Sequence, residues 1–379
     1  MRKLSNVMFL TLFSLILIAG SAYAIQGVCS NCHTMHNSQN GATMTADGSL
    51  HPQLLRASCV GCHTGGAGET GEKNSFGAPI VYHTTAPTGQ GGGKTLAGGD
   101  FYWVHQTGGD TKGHNVSGIA SEDQLIGGNA PGFTPPGWDP AATPGFNNDG
   151  KVNGGGADWG TTQLTCAGTN GCHGTHAAAG DTAIIGAHHG NANGTHNNAG
   201  GGGGAGSADT IGNSYRFLSG IYGLEEADWN WGETNALHNE YYGVAAPGSR
   251  DMGTTYGNKH TISYSCAECH GFFHSQIAGS SGGGSPWLRH PTDVVLPNSG
   301  DYMGYTTYSV EAPIARPAVL TSSNSTVTPG TDIVACVSCH RAHGSPEPDI
   351  LRWTYANMVA GNGGSYSNTG CFTCHRGKD

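Results

Sequence analysis

Residues 29–36 read Cys29-Ser30-Asn31-Cys32-His33-Thr34-Met35-His36, and the spacing of the first five recurs along the chain. The same Cys-x-x-Cys-His pattern is found at Cys59-Val60-Gly61-Cys62-His63, Cys266-Ala267-Glu268-Cys269-His270, Cys336-Val337-Ser338-Cys339-His340 and Cys371-Phe372-Thr373-Cys374-His375. A sixth pair, Cys166 and Cys172, is followed at once by His173 but has five residues between its thiols. These pairs use all 12 Cys of the 379 residues. Random placement at this composition gives about 0.02 regular motifs per chain. Five regular copies therefore need a chemical cause.

Covalent haem attachment supplies one. Two thiols add across the two vinyl groups on one porphyrin edge, and two intervening residues let the backbone turn once between them. The next residue then lies under the iron, where His provides the proximal nitrogen. Zinc uses Cys-x-x-Cys pairs, and an exported chain with an even Cys count suits disulfides. Neither reading requires a His after every second Cys. Six haem c groups are the expectation, with His33, His63, His173, His270, His340 and His375 as proximal ligands. In the irregular motif the three extra residues must bulge outward. Gly168, Asn170 and Gly171 suit such a bulge because they tolerate positive φ. The alternative is attachment through Cys172 alone, with Cys166 left as a thiol.

Composition agrees with an ordering cofactor. Gly supplies 65 residues and hydrophobic residues only 36% of the chain. Such a chain buries little aliphatic surface, and each Gly has a large backbone entropy to lose. Disorder is the competing reading, but 12 Cys and 20 His in register argue for a cofactor. With 16 basic against 26 acidic residues, the net charge is −10 and nucleic acid is not expected as a partner. Arg2 and Lys3, the apolar run from Val7 to Ile18, and Ala22-Tyr23-Ala24 read as a signal peptide over residues 1–24. The mature chain, 25–379, is then one hexahaem domain. It should reach the outer surface or the exterior through the periplasm, with no later segment near the roughly 18 apolar residues of a membrane span.

Fourteen His remain after the proximal six. Met is the other common distal ligand, but of the seven Met two lie in the signal peptide. Bis-His ligation is the economical reading. His36, His176 and His343 each stand three residues after a proximal His, and His274 stands four after one. A His so close in sequence reaches a neighbouring haem more easily than the far face of its own. His83, His114 and His290 are the next distal candidates. His51 and His196 read as solvated or hydrogen-bonded residues.

The motifs span the whole chain, so no haem-free domain is expected, and no long internal repeat is visible beyond the motif. The fold class is mostly irregular, with short helices and few strands wrapped around a haem row. Gly91–Gly93, Gly154–Gly156, Gly200–Gly204 and Gly282–Gly284 read as loops, the Gly200 stretch the most mobile. Leu351, Tyr355, Met358 and Val359 have a helical period after Pro348. Residues 225–239 form a weaker helix candidate.

The chain also resembles a known family, the OmcS-type outer-surface hexahaem cytochromes of metal-respiring bacteria, which polymerise into nanowire filaments. The resemblance rests on Cys32-His33-Thr34-Met35-His36-Asn37-Ser38, Gly98-Gly99-Asp100-Phe101 with Trp103, and Lys112-Gly113-His114-Asn115. It continues at Leu288-Arg289-His290-Pro291 and Cys339-His340-Arg341-Ala342-His343. The irregular third motif and a shorter chain depart from the family. The resemblance implies bis-His haems in alternating stacked and T-shaped pairs. It also implies that His36 ligates the fifth haem of an adjacent subunit. The function so implied is extracellular electron transfer, not enzymatic turnover, with redox partners and extracellular acceptors. A monomeric electron shuttle is the alternative. A multihaem reductase, which needs an open iron position, is the third reading.

Overall fold

The computed structural model describes residues 28–45, 48–87, 95–123, 134–138, 159–185, 195–196, 211, 214–226, 234–245, 260–271, 273 and 289–378. All four polyglycine stretches and His274 lie outside these residues. Within them the backbone is mostly irregular. The longest helix, Ile262–Ala267, has six residues, and the Thr261 hydroxyl caps it by accepting from Tyr264 N at 3.1 Å. The longest strands have three. No described helix is long and apolar enough to cross a membrane.

The helix expected near Leu351 is instead two single 3-10 turns, Pro348–Ile350 and Tyr355–Asn357. Asp349 and Ile350 have φ of 56° and 51°, in the left-handed region, where a right-handed helix cannot propagate. The described part of 225–239 holds no helix either. It leads out of the strand Gly223–Leu224 and through bends into the strand Glu240–Tyr242.

One six-stranded sheet organises the second half of the chain. Its order is Val294–Val295, Ile333–Val334, Ala315–Arg316, Glu240–Tyr242, Gly223–Leu224 and Thr195–His196. Only the pairing of Ala315–Arg316 with Glu240–Tyr242 is parallel. At that junction the buried Arg316 donates to Glu240 Oε2 at 2.9 Å and Asp332 Oδ2 at 2.8 Å. It also donates to the carbonyls of Thr326 and Asn324. A buried guanidinium is tolerated when its donors are met in this way.

The apolar core is divided into three small clusters, and each backs onto an attachment motif. Val337 packs on the cluster of Tyr215, Ile221, Tyr241 and Ile262. Cys374 packs on Leu296, Tyr305 and Ile314, and Val60 and Cys166 pack on Phe101, Val104 and Ile119. The protein part of the core thus stops at the motifs, as a Gly-rich chain relying on a bound apolar group would require.

An internal repeat, not expected from the sequence, emerges from the backbone. Gln53 and Leu54, Arg216 and Phe217, and Asp349 and Ile350 are three pairs of consecutive left-handed residues. Each pair follows an odd-numbered motif and lies against it, through His33–Leu55, Gly174–Leu218 and His340–Leu351 bridges. In the first and last copies the sequence reads Pro52-Gln53-Leu54-Leu55-Arg56 and Pro348-Asp349-Ile350-Leu351-Arg352. Arg56 donates to Ser30 O at 2.9 Å and Arg352 to Val337 O at 2.6 Å, the same position inside the two motifs. The described residues therefore show three equivalent segments, or modules, each beginning with Cys-His-x-x-His, continuing through a left-handed turn and followed by a second motif.

The segment around Gly99 ties the first module to the last. Asp100 N donates to Gly344 O at 3.0 Å and His343 N to Gly98 O at 2.7 Å. Gly99 has φ +80°, and a Cβ there would lie 1.9 Å from Gly344 O. Gly41 has the same φ with nothing within 4 Å. Gly99→Ala is expected to destabilise the protein by about 3 kcal/mol, against about 1 kcal/mol for Gly41→Ala. Guanidinium denaturation of the two variants checks the difference.

Candidate haem sites

None of the twelve thiols is in a disulfide. Successive motifs are neighbours in space. The thiol of Cys62 lies beside that of Cys32, Cys59 beside Cys166, and Cys266 beside Cys336. Cys172 lies within electrostatic range of Cys266, and Cys339 of Cys371 and Cys374. The contacts link the motifs in chain order from first to sixth, which makes a row.

The third motif shows how five residues can replace two. Thr165–Ala167 and Gly171–His173 pair as parallel strands, with Thr165 opposite Gly171 and Ala167 opposite His173. Cys166 is then opposite Cys172, and opposed residues share one face of a sheet. Of the three residues expected to use positive φ, only Gly168 does, at +92°. Gly171 serves close approach instead: a Cβ there would sit 2.6 Å from the Ala167 backbone. Asn170 keeps an ordinary φ.

Five proximal rings are held alike. Nδ1 donates to a backbone carbonyl: His33 to Gln53 at 3.0 Å, His63 to Pro79 at 2.8 Å and His173 to Arg216 at 2.8 Å. His270 donates to Pro136 at 2.6 Å and His340 to Asp349 at 2.8 Å. In the three odd motifs the acceptor is the first residue of the left-handed pair, which explains why the repeat exists. Positive φ turns that carbonyl toward the ring. A neutral imidazole donating from Nδ1 carries its lone pair on Nε2, the form a metal binds. Such a hydrogen bond on the non-ligating nitrogen is what haem ligands require.

Distal partners can be tested by spacing. Two imidazoles on one iron, each Nε2 about 2 Å from the metal, hold their ring centroids roughly 6 Å apart. His173 and His343 are 6.3 Å apart, His270 and His114 6.1 Å, and His375 and His290 6.3 Å. His114 Nδ1 donates to Ala342 O at 2.5 Å and His290 Nδ1 to Pro291 O at 3.0 Å. Phe101 stacks on His343 at 4.8 Å. Among the described residues no three His, Cys, Asp or Glu side chains gather as a metal-holding group. The rings meet in twos, whereas tetrahedral zinc needs four donors.

Burial also sets the charge of these rings. It pulls the pKa of His63, His114, His173, His340 and His375 below the ordinary value. It takes His270 to about 4, with His114 adding to the effect, and His343 to about 3, with His173 adding. The rings are held neutral, the state that binds iron.

The other candidates differ. Exposed His36 has Nδ1 at 2.9 Å from Ser38 Oγ. Buried His176 turns Nε2 to Gly171 O at 3.1 Å. His83 is buried with Nδ1 at 2.6 Å from Asp100 Oδ2 and Nε2 at 3.0 Å from Gly71 O. Burial opposes its charge, but Asp100 outweighs burial and raises its pKa. His51 faces Asp181 at 3.7 Å. Two rings that sequence reasoning passed over have the ligand-like arrangement. His105 Nδ1 donates to Ile119 O at 2.7 Å, and His260 Nδ1 donates to Gly220 O. His105 stands two residues beyond the Trp103 landmark and beside the cluster that packs on Val60.

Comparison with known proteins matches residues 329–379, the third module, to the doubled CXXCH motif family. Over 131 residues the chain is 36% identical to C-type cytochrome OmcS of Geobacter sulfurreducens. That match spans 27% of this chain and 28% of the relative. Two solved structures are also similar, the outer membrane cytochrome S filament and the OmcS nanowires of Geobacter sulfurreducens. Their TM-scores are 0.43 and 0.49 at 21% and 20% identity, covering 86% and 87% of this chain and 84% of each structure.

His114→Ala is expected to convert about one haem per chain to the high-spin form in electron paramagnetic resonance. His238→Gln should leave every haem low-spin, because His238 packs on Tyr308 and bonds Glu240 and Thr234. Cys166→Ser should leave one haem on a single thioether, seen as a red-shifted component in the pyridine haemochrome spectrum.

Proposed function

We propose that this chain is a secreted OmcS-type cytochrome that carries electrons along six covalently bound bis-His haems, as the subunit of a conducting filament. The observation that carries the reading is the shared geometry of the proximal rings. Five of them rest Nδ1 on a backbone carbonyl, and three of the six proximal rings, His173, His270 and His375, face a second His across an iron-sized gap. Similarity to a protein named a c-type cytochrome supports it.

When bound, haem supplies a one-electron iron couple. The chain's part is to fix both axial nitrogens and to hold neighbouring sites close. Filled axial positions leave no place for a substrate, so the role is electron transfer and not catalysis. His343 with His173, His114 with His270, and His290 with His375 would hold the third, fourth and sixth irons. The modular repeat extends the first of these pairs. His343 belongs to the third module and reaches the second. By the same step His176 of the second module would serve His33 of the first, its Nε2 leaving Gly171 O to do so. The same step taken between copies would pair His36 of the first module with His340 of a second copy, as the resemblance implies. The distal place on the second iron falls to His105 or His83.

The surface around His36 suits a second copy. Val28, Met35, Leu50 and Leu54 are exposed, Met35 by 86%, a concentration of large apolar side chains that suits an interface. A chain starting at Ile25 then passes through the periplasm to the cell exterior.

Intact-mass measurement of the secreted protein should give the chain from Ile25 plus six haems. A smaller haem number would contradict the assignment. His36→Ala should retain six haems, lose filaments in negative-stain micrographs and show one high-spin haem. Filaments unchanged by that replacement would remove His36 from the interface.

A further inference from the structure

Five proximal rings rest on neutral carbonyls, and the sixth does not. His375 Nδ1 faces the carboxylate of Asp301, with Oδ2 at 3.7 Å. That separation is too long for a hydrogen bond and sets the carboxylate charge against the dipole of a neutral ring. Asp301 lies in the 3-10 turn Gly300–Gly304, and the next residue, Tyr302, places its ring 5.0 Å from the His375 ring. Lys378 Nζ lies 3.1 Å from the same Oδ2. Asp301 is about a quarter exposed and Lys378 about half exposed, so the ammonium is the better hydrated of the two charges.

We infer that Asp301 is a positioning and tuning residue of the sixth haem, its carboxylate lowering that haem's reduction potential through His375 while Lys378 moderates the effect. The inference rests on the haem assignment above. An anion beside the outer nitrogen makes the imidazole a stronger donor, and it favours the more positive ferric centre over the ferrous one. A carbonyl dipole does the same more weakly. The sixth haem lies at the end of the motif row, next to the fifth. Lowering its potential favours electron departure from it toward the fifth.

The test is spectroelectrochemical titration of the full-length haem-loaded protein, with Asp301→Asn and Lys378→Gln compared with the parent. Haem content and the low-spin signal are measured first. If the assembled parent lacks six low-spin haems, the haem assignment fails and the inference falls with it. With six haems retained, Asp301→Asn should move one of the six one-electron waves to more positive potential. Lys378→Gln should move one wave the other way, and the double variant should resemble Asp301→Asn. One low-spin ferric g-value set should shift in Asp301→Asn, reporting a changed axial imidazole. Unmoved waves, shifts of the same sign in both single variants, or a shift spread evenly over all six would overturn the role.

Discussion

The fold depends on a hydrogen bond from the outer nitrogen of five of the six candidate proximal histidines to a backbone carbonyl, which in three of them is held in place by an unusual turn. A thioether motif fixes where a haem edge sits, but not how the imidazole is rotated or which nitrogen carries the lone pair. That second constraint is met by Gln53, Arg216 and Asp349, each in a left-handed conformation that costs about 1–2 kcal/mol for a non-Gly residue. Three such residues at equivalent places are a cost accepted for ligand orientation. Arg56 and Arg352 then lock the turn to the motif it serves. The scarcity of regular structure follows, because carbonyls must be delivered to five rings spread along a Gly-rich chain.

The six Cys pairs stand out in the sequence as attachment candidates, because covalent chemistry dictates both residue type and spacing. The bulge in the third motif was also legible in outline, though Gly171 is required there for close approach and not for its φ. The repeat was not legible. It is written in Pro-x-Leu-Leu-Arg and Pro-x-Ile-Leu-Arg, but its second copy reads Tyr215-Arg216-Phe217-Leu218-Ser219. Only the backbone shows that the three are equivalent. The helix expected near Leu351 failed for the same reason, since an apolar period of four does not reveal two left-handed residues.

Distal ligands lie between these extremes. His114, His290 and His343 were candidates from the sequence, and each proves to face a proximal ring. His105 and His260 were missed because nothing in their local sequence distinguishes a ring that donates to Ile119 or Gly220 from an ordinary buried histidine. Partnering across 156 or 170 residues, as between His114 and His270 or His173 and His343, is a property of the folded row.

The central claim is that both axial positions of every iron are filled by histidine. Near-infrared magnetic circular dichroism of the oxidised, assembled protein tests this most directly, since bis-His, His–Met and high-spin ferric haems give separate charge-transfer bands. The account requires bis-His intensity equal to the full haem content. A His–Met band, or a high-spin band that persists in assembled filaments, would contradict it.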